Sequence, residues 1–563
     1  MKTQSHLLTV ITFLPLLSVA ALLFLRSQDR VWVRRIALAA SIAEFVVSLF
    51  LLPGFQAGTA QFQFEEFYSW IGAANIHYHV GVDGISLFLI LLTTFLTPIA
   101  ILCSWNSIQE NVKGFFISLL VIETAMIGVF VSLDLFLFFV FWELTLIPMY
   151  FLIGIWGHDR KIYAAIKFIL YTMFGSILML VAILWLYNLT GSFDLAGYGN
   201  IAGIQQFLAR KALPPHTELW LFGAFFLAFA IKVPVFPLHT WLPDAHTDAP
   251  TAGSVILAGV MLKLGTYGIL RFCLPLFPYA AHRMAPLIGV LAIIGIVYGA
   301  LVATVQHDLK RLVAYTSVSH LGFVVLGLFA FSTISVQGAI YQMLNHGIST
   351  GALFLGVGML YDRRHTHEIS EFGGLANPMP VLMGFFLFIA LSSLALPPLN
   401  GFIGEFLILI GTFEHHHQWA SWATSGAVLS AIYLLWSYQR VALGEVTVEK
   451  NKTLKDANGR ERLILVTMSV MIIFMGIASP LFTRRMEPST NALLRLMDRP
   501  QNASQPAQQT QPVARSSAFG SQSSAAASAT LFVIPSGAVS RPGEGRVSQS
   551  RDLQFVPDLF HQA

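Results

Sequence analysis

The sequence predicts an all-α membrane protein with about 14 transmembrane helices, which form two inverted five-helix repeats with discontinuous helices. Three observations support this prediction. Of the 563 residues, 55% are hydrophobic and only 11% are charged, whereas soluble domains carry about 25% charged residues. Apolar stretches long enough to span a bilayer as a helix recur from residue 7 to residue 482. Two of these stretches are interrupted by prolines beside an ionisable residue.

Each predicted span is one continuous apolar run. Transmembrane β-strands would be about ten residues long with alternating polarity, so helices are the better interpretation. The spans are predicted near residues 7–25, 33–52, 85–105, 114–132, 135–156, 163–187, 219–241, 251–274, 285–305, 311–331, 336–360, 379–410, 421–443 and 462–482.

The distribution of basic residues predicts the orientation of the chain. The first span has a long apolar region followed at once by four arginines, so we interpret it as an uncleaved helix and not as a signal peptide. The loops on one side of the predicted bundle carry 18 Lys and Arg residues, and those on the other side carry four. Since basic loops stay in the cytoplasm, both termini are predicted to be extracytoplasmic.

The spans divide the chain into five regions. Residues 1–112 hold helices 1–3, residues 113–276 the first repeat (helices 4–8) and residues 277–445 the second, inverted repeat (helices 9–13). Residues 446–485 are predicted to be a loop and helix 14. Residues 486–563 are rich in Gln, Ser, Ala and Pro, a composition that cannot bury a core, so this tail is predicted to be disordered.

The repeats are inferred from two helix breaks. The seventh span contains Lys232-Val233-Pro234 and the twelfth contains Leu396-Pro397-Pro398-Leu399-Asn400. Proline removes an amide donor and clashes with the preceding turn, so both helices should be interrupted near the middle of the membrane. The breaks lie five spans apart, and an odd offset reverses the direction through the membrane, as in inverted repeats.

Four ionisable residues within the apolar spans are the principal candidates for function: Glu143, Lys232, Lys263 and Glu405. A charge near the centre of a bilayer costs at least about 2.5–3.5 kcal/mol, so such residues are rarely incidental. Together they suggest a path for protons or cations. Glu143 is the most plausible partner of Lys232, because acid and base need each other in a low dielectric, and such a pair can act as a switch.

Histidines and a further acid extend this set. His320, His346 and His239 lie in apolar segments, and a histidine suits a proton relay because it titrates near neutrality. The alternative for each of them is a hydrogen-bonded core residue. Glu123 is a weaker relay candidate. Glu44 is also predicted to be buried, and an inter-helix hydrogen bond explains it as well as any other role.

Other acids and histidines favour local structure. Asp134 is predicted to cap the fifth span and Asp83 the third. Asp244, His246 and Asp248 could form a metal site, but their short loop favours turn and cap chemistry, so no metal is assigned.

The sequence gives no support for a cofactor or a nucleic acid. The two cysteines form no CxxC, haem or iron–sulfur motif, and no dinucleotide or phosphate-binding loop is present. The chain is therefore predicted to hold no redox centre and no nucleotide.

Several long motifs resemble a known family. FVFWELTLIPMYFLIGIWG, IKVPVFPLHTWLPDAHTDAPTAGSVILAGVMLKLGTYGILRF, RLVAYTSVSHLGFVVLG, MLNHGISTGALFLGVGMLYDRRHT and LPPLNGFIGEF resemble the antiporter-like membrane subunits of respiratory complex I. The resemblance covers about residues 80–445 strongly. Within the family, FWELTLIPMYFLIG and the glutamate at position 405 are most similar to the M-type subunits.

The resemblance implies roles for the matching residues. Glu143 and Lys232 match the acid–lysine pair of the family, Lys263 its central lysine, Glu405 the terminal acid, and His320 and His346 the polar axis between them. It also implies a multi-pass subunit of the bacterial plasma membrane that couples NADH oxidation to proton pumping. Its partners would be the other complex I membrane subunits and the lipid bilayer. Flavin, iron–sulfur clusters and quinone would then be bound by partner subunits.

Three alternatives remain at the level of sequence. An Mrp-type Na⁺/H⁺ antiporter subunit would use the same fold and residues, and so would a membrane subunit of an energy-converting hydrogenase. The third alternative is a scaffold without transport activity, in which the buried charges would be dispensable.

Overall fold

The fold is a bundle of α-helices, and the computed structural model describes residues 6–199 and 201–498. The helices in chain order are α1 (Leu7–Phe24), α2 (Arg30–Leu49), α3 (Leu51–Gly54), α4 (Leu87–Ser107), α5 (Val112–Val131), α6 (Leu135–Leu144), α7 (Leu146–Trp156), α8 (Lys161–Thr190), α9 (Ile204–Arg210), α10 (Pro215–Lys232), α11 (Trp241–Asp248), α12 (Thr251–Ile256), α13 (Leu262–Gly268), α14 (Leu274–Leu276), α15 (Pro278–Thr304), α16 (Leu309–Phe329), α17 (Thr333–Arg364), α18 (Pro380–Ser393), α19 (Asn400–His415), α20 (His417–Ala442), α21 (Gly459–Ile477) and α22 (Ser479–Met497).

Most predicted spans correspond to a long apolar helix. Within the described ranges, ten helices are long and apolar enough to cross a membrane, or up to eleven if α21 and α22 are counted as one bent span. These eleven match every predicted span except the seventh, twelfth and thirteenth. The seventh and twelfth are each divided into two pieces, and the thirteenth corresponds to α20, which is long but carries several polar side chains. The total of 14 therefore remains a prediction.

Both predicted helix breaks are present. α10 ends at Lys232 and α11 begins at Trp241, so the segment with Pro234 and Pro237 separates two helical halves. α18 ends at Ser393 and α19 begins at Asn400, again around a pair of prolines. The discontinuous helices of the predicted fold class are confirmed at both positions.

The helix around Lys263 has an irregular backbone that the sequence analysis did not predict. Two π-helical segments, Leu257–Met261 and Ile269–Cys273, join α12, α13 and α14 into one helix from Thr251 to Leu276. Lys263 lies on α13, between the two segments. π-bulges are rare and frequently occur at functional sites.

Short β-hairpins depart from the all-α prediction. Strand β1 (Gln63–Ile71) pairs antiparallel with β2 (Ile76–Val82), and β3 (Gly197–Tyr198) pairs with β4 (Ile201–Ala202). These hairpins lie between helices, in stretches too polar to be predicted as spans. The apolar periodicity that identifies spans carries no information on the pairing of such connecting segments, which explains the difference.

The connections between helices form two sets, and the members of each set contact one another. The connection between α5 and α6 forms bridges to β2 and to the connection after α8. The connection between α15 and α16 forms a bridge to the segment after α17, and Tyr361 at the end of α17 contacts His158 between α7 and α8 (3.1 Å). Connections that the orientation prediction places on one side of the membrane thus touch one another.

The helical part of the chain extends further than predicted. The expected boundary at residue 485 is wrong, because α22 continues to Met497, bent by 64° from α21. α22 is amphipathic: Met486, Leu493 and Met497 are buried, whereas Arg484 is exposed. A short amphipathic helix is too polar for a span prediction but is stabilised by packing of its apolar face. The predicted disorder of residues 499–563 lies outside the described residues.

Glycines allow α17 and α19 to pack closely beside Glu405. A Cβ at Gly411 would lie 2.3 Å from the backbone nitrogen of Ser335, and one at Gly338 would lie 2.7 Å from the backbone nitrogen of Ile408. Since these neighbours are backbone atoms that cannot move aside, the close approach requires glycine at both positions.

Candidate proton-relay site

Four buried residues from the four helices α13, α16, α17 and α19 form a line of contacts inside the bundle. Nζ of Lys263 lies 2.6 Å from Nδ1 of His346 and also donates a hydrogen bond to the carbonyl of Ala258. The ring of His346 meets that of His320 edge to face, with the centroids 5.8 Å apart. Nε2 of His320 lies 3.8 Å from Oε1 of Glu405. The structure thus places Lys263, both histidines and Glu405 in succession.

Glu405 is held by amide side chains of α17. Nε2 of Gln342 donates a hydrogen bond to Oε1 of Glu405 (3.0 Å), and Nδ2 of Asn345 donates to Oε1 of Gln342 (3.2 Å). Oε2 of Glu405 has no hydrogen-bond partner among the described residues. Gln342 was not among the residues predicted from the sequence, although a Gln one helical turn before His346 on the same helix was a usable signal.

Lys232 is fully buried at the C-terminal end of α10. Its Nζ donates a hydrogen bond to Oγ1 of Thr145 (3.2 Å). The ammonium also lies over two aromatic rings, 5.1 Å from the centroid of Trp142 and 5.7 Å from that of Phe168. Such cation–π contacts partly replace the solvation that burial removes.

Glu143 faces Lys232 but does not form a salt bridge with it in this structure. The two side chains interact electrostatically, and Ser176 on α8 lies close enough to interact with the carboxylate. Oε1 of Glu143 has no hydrogen-bond partner within the described ranges. The predicted partners are therefore neighbours, while the direct contact of Lys232 is Thr145, which the sequence analysis did not select.

The two lysines occupy neighbouring helices that pack closely. A Cβ at Gly265 on α13 would lie 2.7 Å from the carbonyl oxygen of Phe229 on α10. No described side chain is hydrogen-bonded to both Lys232 and Lys263. The site thus consists of two parts: the pair Glu143 and Lys232, and the line from Lys263 to Glu405.

Two candidates from the sequence lie apart from this line. His239, in the break between α10 and α11, packs against Phe236 and Tyr298 with ring centroids 5.6 and 5.3 Å away. Glu123 on α5 lies close enough to Glu44 on α2 to interact electrostatically, although no carboxylate oxygen of either has a well-aligned hydrogen bond among the described residues. Glu44 and Glu123 thus form an inter-helix carboxyl pair, and none of their described contacts joins them to Lys232 or Lys263.

Asp134 and Asp83 were both predicted to cap helices, and the structure adds an ion pair at Asp83. Asp134 caps α6 as predicted and accepts from the backbone nitrogens of Phe136 and Leu137. Asp83 accepts from two backbone nitrogens of the turn before α4, and it also forms a buried ion pair with Arg271 (2.6 Å) that was not predicted.

The Asp244–Asp248 region lies on α11, and the structure gives each residue a separate role. Asp244 pairs with Lys167 (2.7 Å), and Asp248 accepts from the backbone nitrogen of Arg160 (2.7 Å). Among the described residues, no group of three or more His, Cys, Asp or Glu side chains could hold a metal ion.

His246 and Lys310 are buried residues that the sequence analysis assigned to loops or turns. His246 stacks on Phe354 (4.5 Å), and neither of its ring nitrogens has a partner among the described residues. Lys310 is buried and donates to the carbonyl of Ala249 (2.5 Å). Both residues lie near a helix end, and their burial was not predictable because the sequence shows polarity but not which side chains the packing of helices covers.

Two histidines in the connections have lowered pKa values. Burial, with additional repulsion from Lys310, lowers the pKa of His158 to about 3 and that of His367 to about 2. Burial disfavours the charged form of an imidazole, and a nearby cation disfavours it further, which explains the direction. Tyr361 lies between them, with its ring stacked on His367 and its hydroxyl 3.1 Å from Nδ1 of His158.

The fold and the site together define a class of protein. A helical membrane bundle with two broken helices, and with lysines, histidines and glutamates inside its apolar spans, is the architecture of ion-translocating antiporter-type proteins.

Comparison with known proteins identifies the family. Residues 132–430 match the family model described as NADH:quinone oxidoreductase/Mrp antiporter, and residues 8–130 match that of NADH-ubiquinone oxidoreductase chain 4, amino terminus. NADH-quinone oxidoreductase subunit M of Rhodobacter capsulatus is 46% identical over 501 residues, covering 87% of this chain and 97% of the relative. The chain therefore belongs to the antiporter-like membrane subunits of NADH:quinone oxidoreductase, in the group of subunit M and chain 4.

Solved structures agree with this assignment. The structure of respiratory complex I from Thermus thermophilus with bound NADH contains a chain that matches with a TM-score of 0.78 at 29% identity, covering 87% of this chain and 99% of that one. A chain of the Mrp complex from Dietzia sp. matches with a TM-score of 0.76 at 19% identity, covering 88% and 100%. The second likeness shows a common fold alone.

Proposed function

We propose that this chain is the proton-translocating module that its family membership suggests: a membrane subunit of NADH:quinone oxidoreductase that moves protons through its own buried side chains. The observation that carries this proposal is the succession of contacts from Lys263 through His346 and His320 to Glu405. Each of these four side chains can bind and release a proton, and each one contacts the next in the line.

The geometry supports a lateral path. A proton enters from the cytoplasmic side and loads Lys232 or Lys263, passes along the two histidines, and leaves through Glu405 to the opposite face. Transfer between the two lysines requires water, because no described side chain bridges them. The buried polar atoms without a protein partner, among them Nε2 of His346 and Oε2 of Glu405, offer the hydrogen bonds that water molecules would take.

Partner subunits supply the driving force in this proposal. Electrons pass from NADH to quinone in other subunits, which hold the flavin, the iron–sulfur clusters and the quinone, while this chain holds no redox centre. The energy reaches it as a change of charge at its boundary with the neighbouring membrane subunits. Such a signal acts only if it favours one state of the Glu143–Lys232 pair over the other, since an equal effect on both states shifts nothing.

The direct test replaces members of the line in the assembled complex. We expect Lys263→Met and Glu405→Gln to abolish most proton pumping coupled to NADH oxidation, because neither replacement can carry the proton. Lys452→Gln is the control, since Lys452 is an exposed lysine whose partner is the nearby Glu449. The measurements are proton uptake by vesicles and NADH:quinone turnover.

The outcomes separate the alternatives. Normal pumping by a fully assembled Lys263→Met complex would contradict the relay and favour the scaffold interpretation. Pumping that requires sodium would favour transport of the kind expected of an Mrp-type antiporter; we expect equal proton uptake in sodium-free medium.

A further inference from the structure

The lysine and the glutamate of the first pair each lie beside a hydroxyl group. Thr145 accepts the hydrogen bond of Lys232, and Ser176 lies against the carboxylate of Glu143. Both hydroxyl residues are fully buried or nearly so. Lys232 and Glu143 are thus neighbours that are held by two other side chains instead of by each other.

The hydroxyl of Thr145 is oriented to accept a hydrogen bond from Lys232. It occupies the junction where α6 ends at Leu144 and α7 begins at Leu146. Its hydroxyl hydrogen is used in a bond to the carbonyl oxygen of Trp142 (2.8 Å). The lone pairs of the Thr145 oxygen therefore remain available to Nζ of Lys232, which can only donate hydrogen bonds.

The hydroxyl of Ser176 is oriented in the opposite sense, to donate a hydrogen bond. Its oxygen accepts a hydrogen bond from Nε1 of Trp142 (2.9 Å), so its own hydroxyl hydrogen is free to donate to the carboxylate of Glu143. Trp142 thus orients both hydroxyl groups, one through its carbonyl and one through its indole nitrogen. Its ring also faces the ammonium group of Lys232.

We propose that Thr145 and Ser176 are positioning residues that stabilise the separated arrangement of Lys232 and Glu143. In that arrangement the lysine is released from the carboxylate and can pass its proton onward. This inference rests on the proposed function, since it concerns the first pair of that relay. It assigns the opening of the pair to two neutral hydroxyl groups of this chain.

The physical reason is competition for the ammonium group. A buried ammonium must be hydrogen-bonded or paired. If the Thr145 hydroxyl is removed, Glu143 is the remaining polar group of the pair for Lys232, and the closed ion pair becomes more favourable. Hydrogen bonds to charged groups are among the stronger ones in proteins, so we expect the population of the separated arrangement to fall about tenfold.

The experiment compares hydroxyl variants in the assembled complex. Thr145→Val removes the hydroxyl at nearly constant shape, and Thr145→Ser restores it. Thr172→Val is the matched control, because Thr172 lies one turn before Ser176 on α8 but bonds only to the backbone of its own helix, at Phe168 and Ile169. Coupled turnover, protons moved per electron and the pH profile of coupled turnover are measured.

We expect Thr145→Val to lower coupled turnover about tenfold, the expected population shift, and to displace its pH profile. Thr145→Ser should regain most of the rate and the original profile, and Ser176→Ala should weaken coupling less than Thr145→Val. Thr172→Val should behave as the unmodified complex. If Thr145→Val does not assemble, Thr145→Cys, a much weaker acceptor of similar volume, carries the same expectation.

Two results would overturn the inference: wild-type turnover and pH profile in Thr145→Val, or equal losses in Thr145→Val and Thr172→Val. Lys232→Met and Glu143→Gln distinguish it from the function on which it rests. If these two variants stop pumping while Thr145→Val does not, the positioning role alone fails. If they pump normally, the proposed relay itself fails.

Discussion

Three of the buried ionisable residues are stabilised by different kinds of partner. Lys263 has two acceptors, a backbone carbonyl and a histidine. Lys232 has one hydroxyl and two aromatic rings, and Glu405 has an amide donor. Burial of an ionised group without any such partner would be prohibitive, so these contacts explain how the residues persist in the bundle. Only Lys263 and Glu405 also lie at the ends of a line of titratable groups.

The pair of Glu44 and Glu123 gives a prediction at the residue scale. Two carboxyl groups that share a buried site cannot both be ionised at low cost, and the described contacts do not connect them to the relay. We expect Glu44→Gln to leave proton pumping intact and to change the free energy of unfolding by less than about 1 kcal/mol, because the amide keeps the shape and a hydrogen-bond donor.

Thermal unfolding of the purified complex and proton uptake would check this prediction, with Glu123→Gln measured in parallel. A loss of pumping in either amide variant at normal stability would show that the pair belongs to the transport path.

At the scale of elements, interruptions of regular helix lie at or near three of the candidate relay residues. α10 ends at Lys232, α19 begins five residues before Glu405, and Lys263 lies between two π-helical segments. Irregular backbone in a membrane is tolerated only where it is packed within protein or lines a wet cavity. The close packing of α17 on α19, made possible by glycines, then brings Gln342 to Glu405.

The glycine contact between these helices is testable. Gly411→Ala would place a Cβ 2.3 Å from the backbone of Ser335, so we expect about 1–3 kcal/mol of destabilisation from overpacking. Gly384→Ala on α18 is the control, because nothing lies within 4 Å of its Cβ position. Assembly and thermal stability of the complex are the readouts, and equal behaviour of the two variants would refute the close approach.

At the scale of the whole molecule, contacts between connections place three of them on one side of the bundle. The connections between α7 and α8, between α15 and α16, and after α17 meet through Tyr361, His158 and the bridge of Asp308 to Glu368. They belong to the side with the excess of basic loop residues, which the positive-inside rule assigns to the cytoplasm. The direction of the proposed proton path through Glu405 depends on this assignment.

The orientation can be tested with a reporter at the C-terminal end. We expect alkaline phosphatase fused there to be active and a fluorescent protein fused there to be dark, because both termini are predicted to be extracytoplasmic. A phosphatase fused to the loop between α20 and α21 is the control and should be inactive. The reverse pattern would invert the proposed path.

The sequence by itself determined most of the helical spans, both helix breaks and the positions of the four principal ionisable candidates. Apolar length, proline and a charge within an apolar run are local properties, and the cost of burying charge makes them informative. The tertiary structure alone decided the partners: Thr145 for Lys232, His346 for Lys263, Gln342 for Glu405, and Glu44 for Glu123. The first three contacts join residues 87, 83 and 63 positions apart, and all four depend on how the helices pack. The same holds for the β1–β2 hairpin and for α22, whose stability comes from neighbours and not from their own composition.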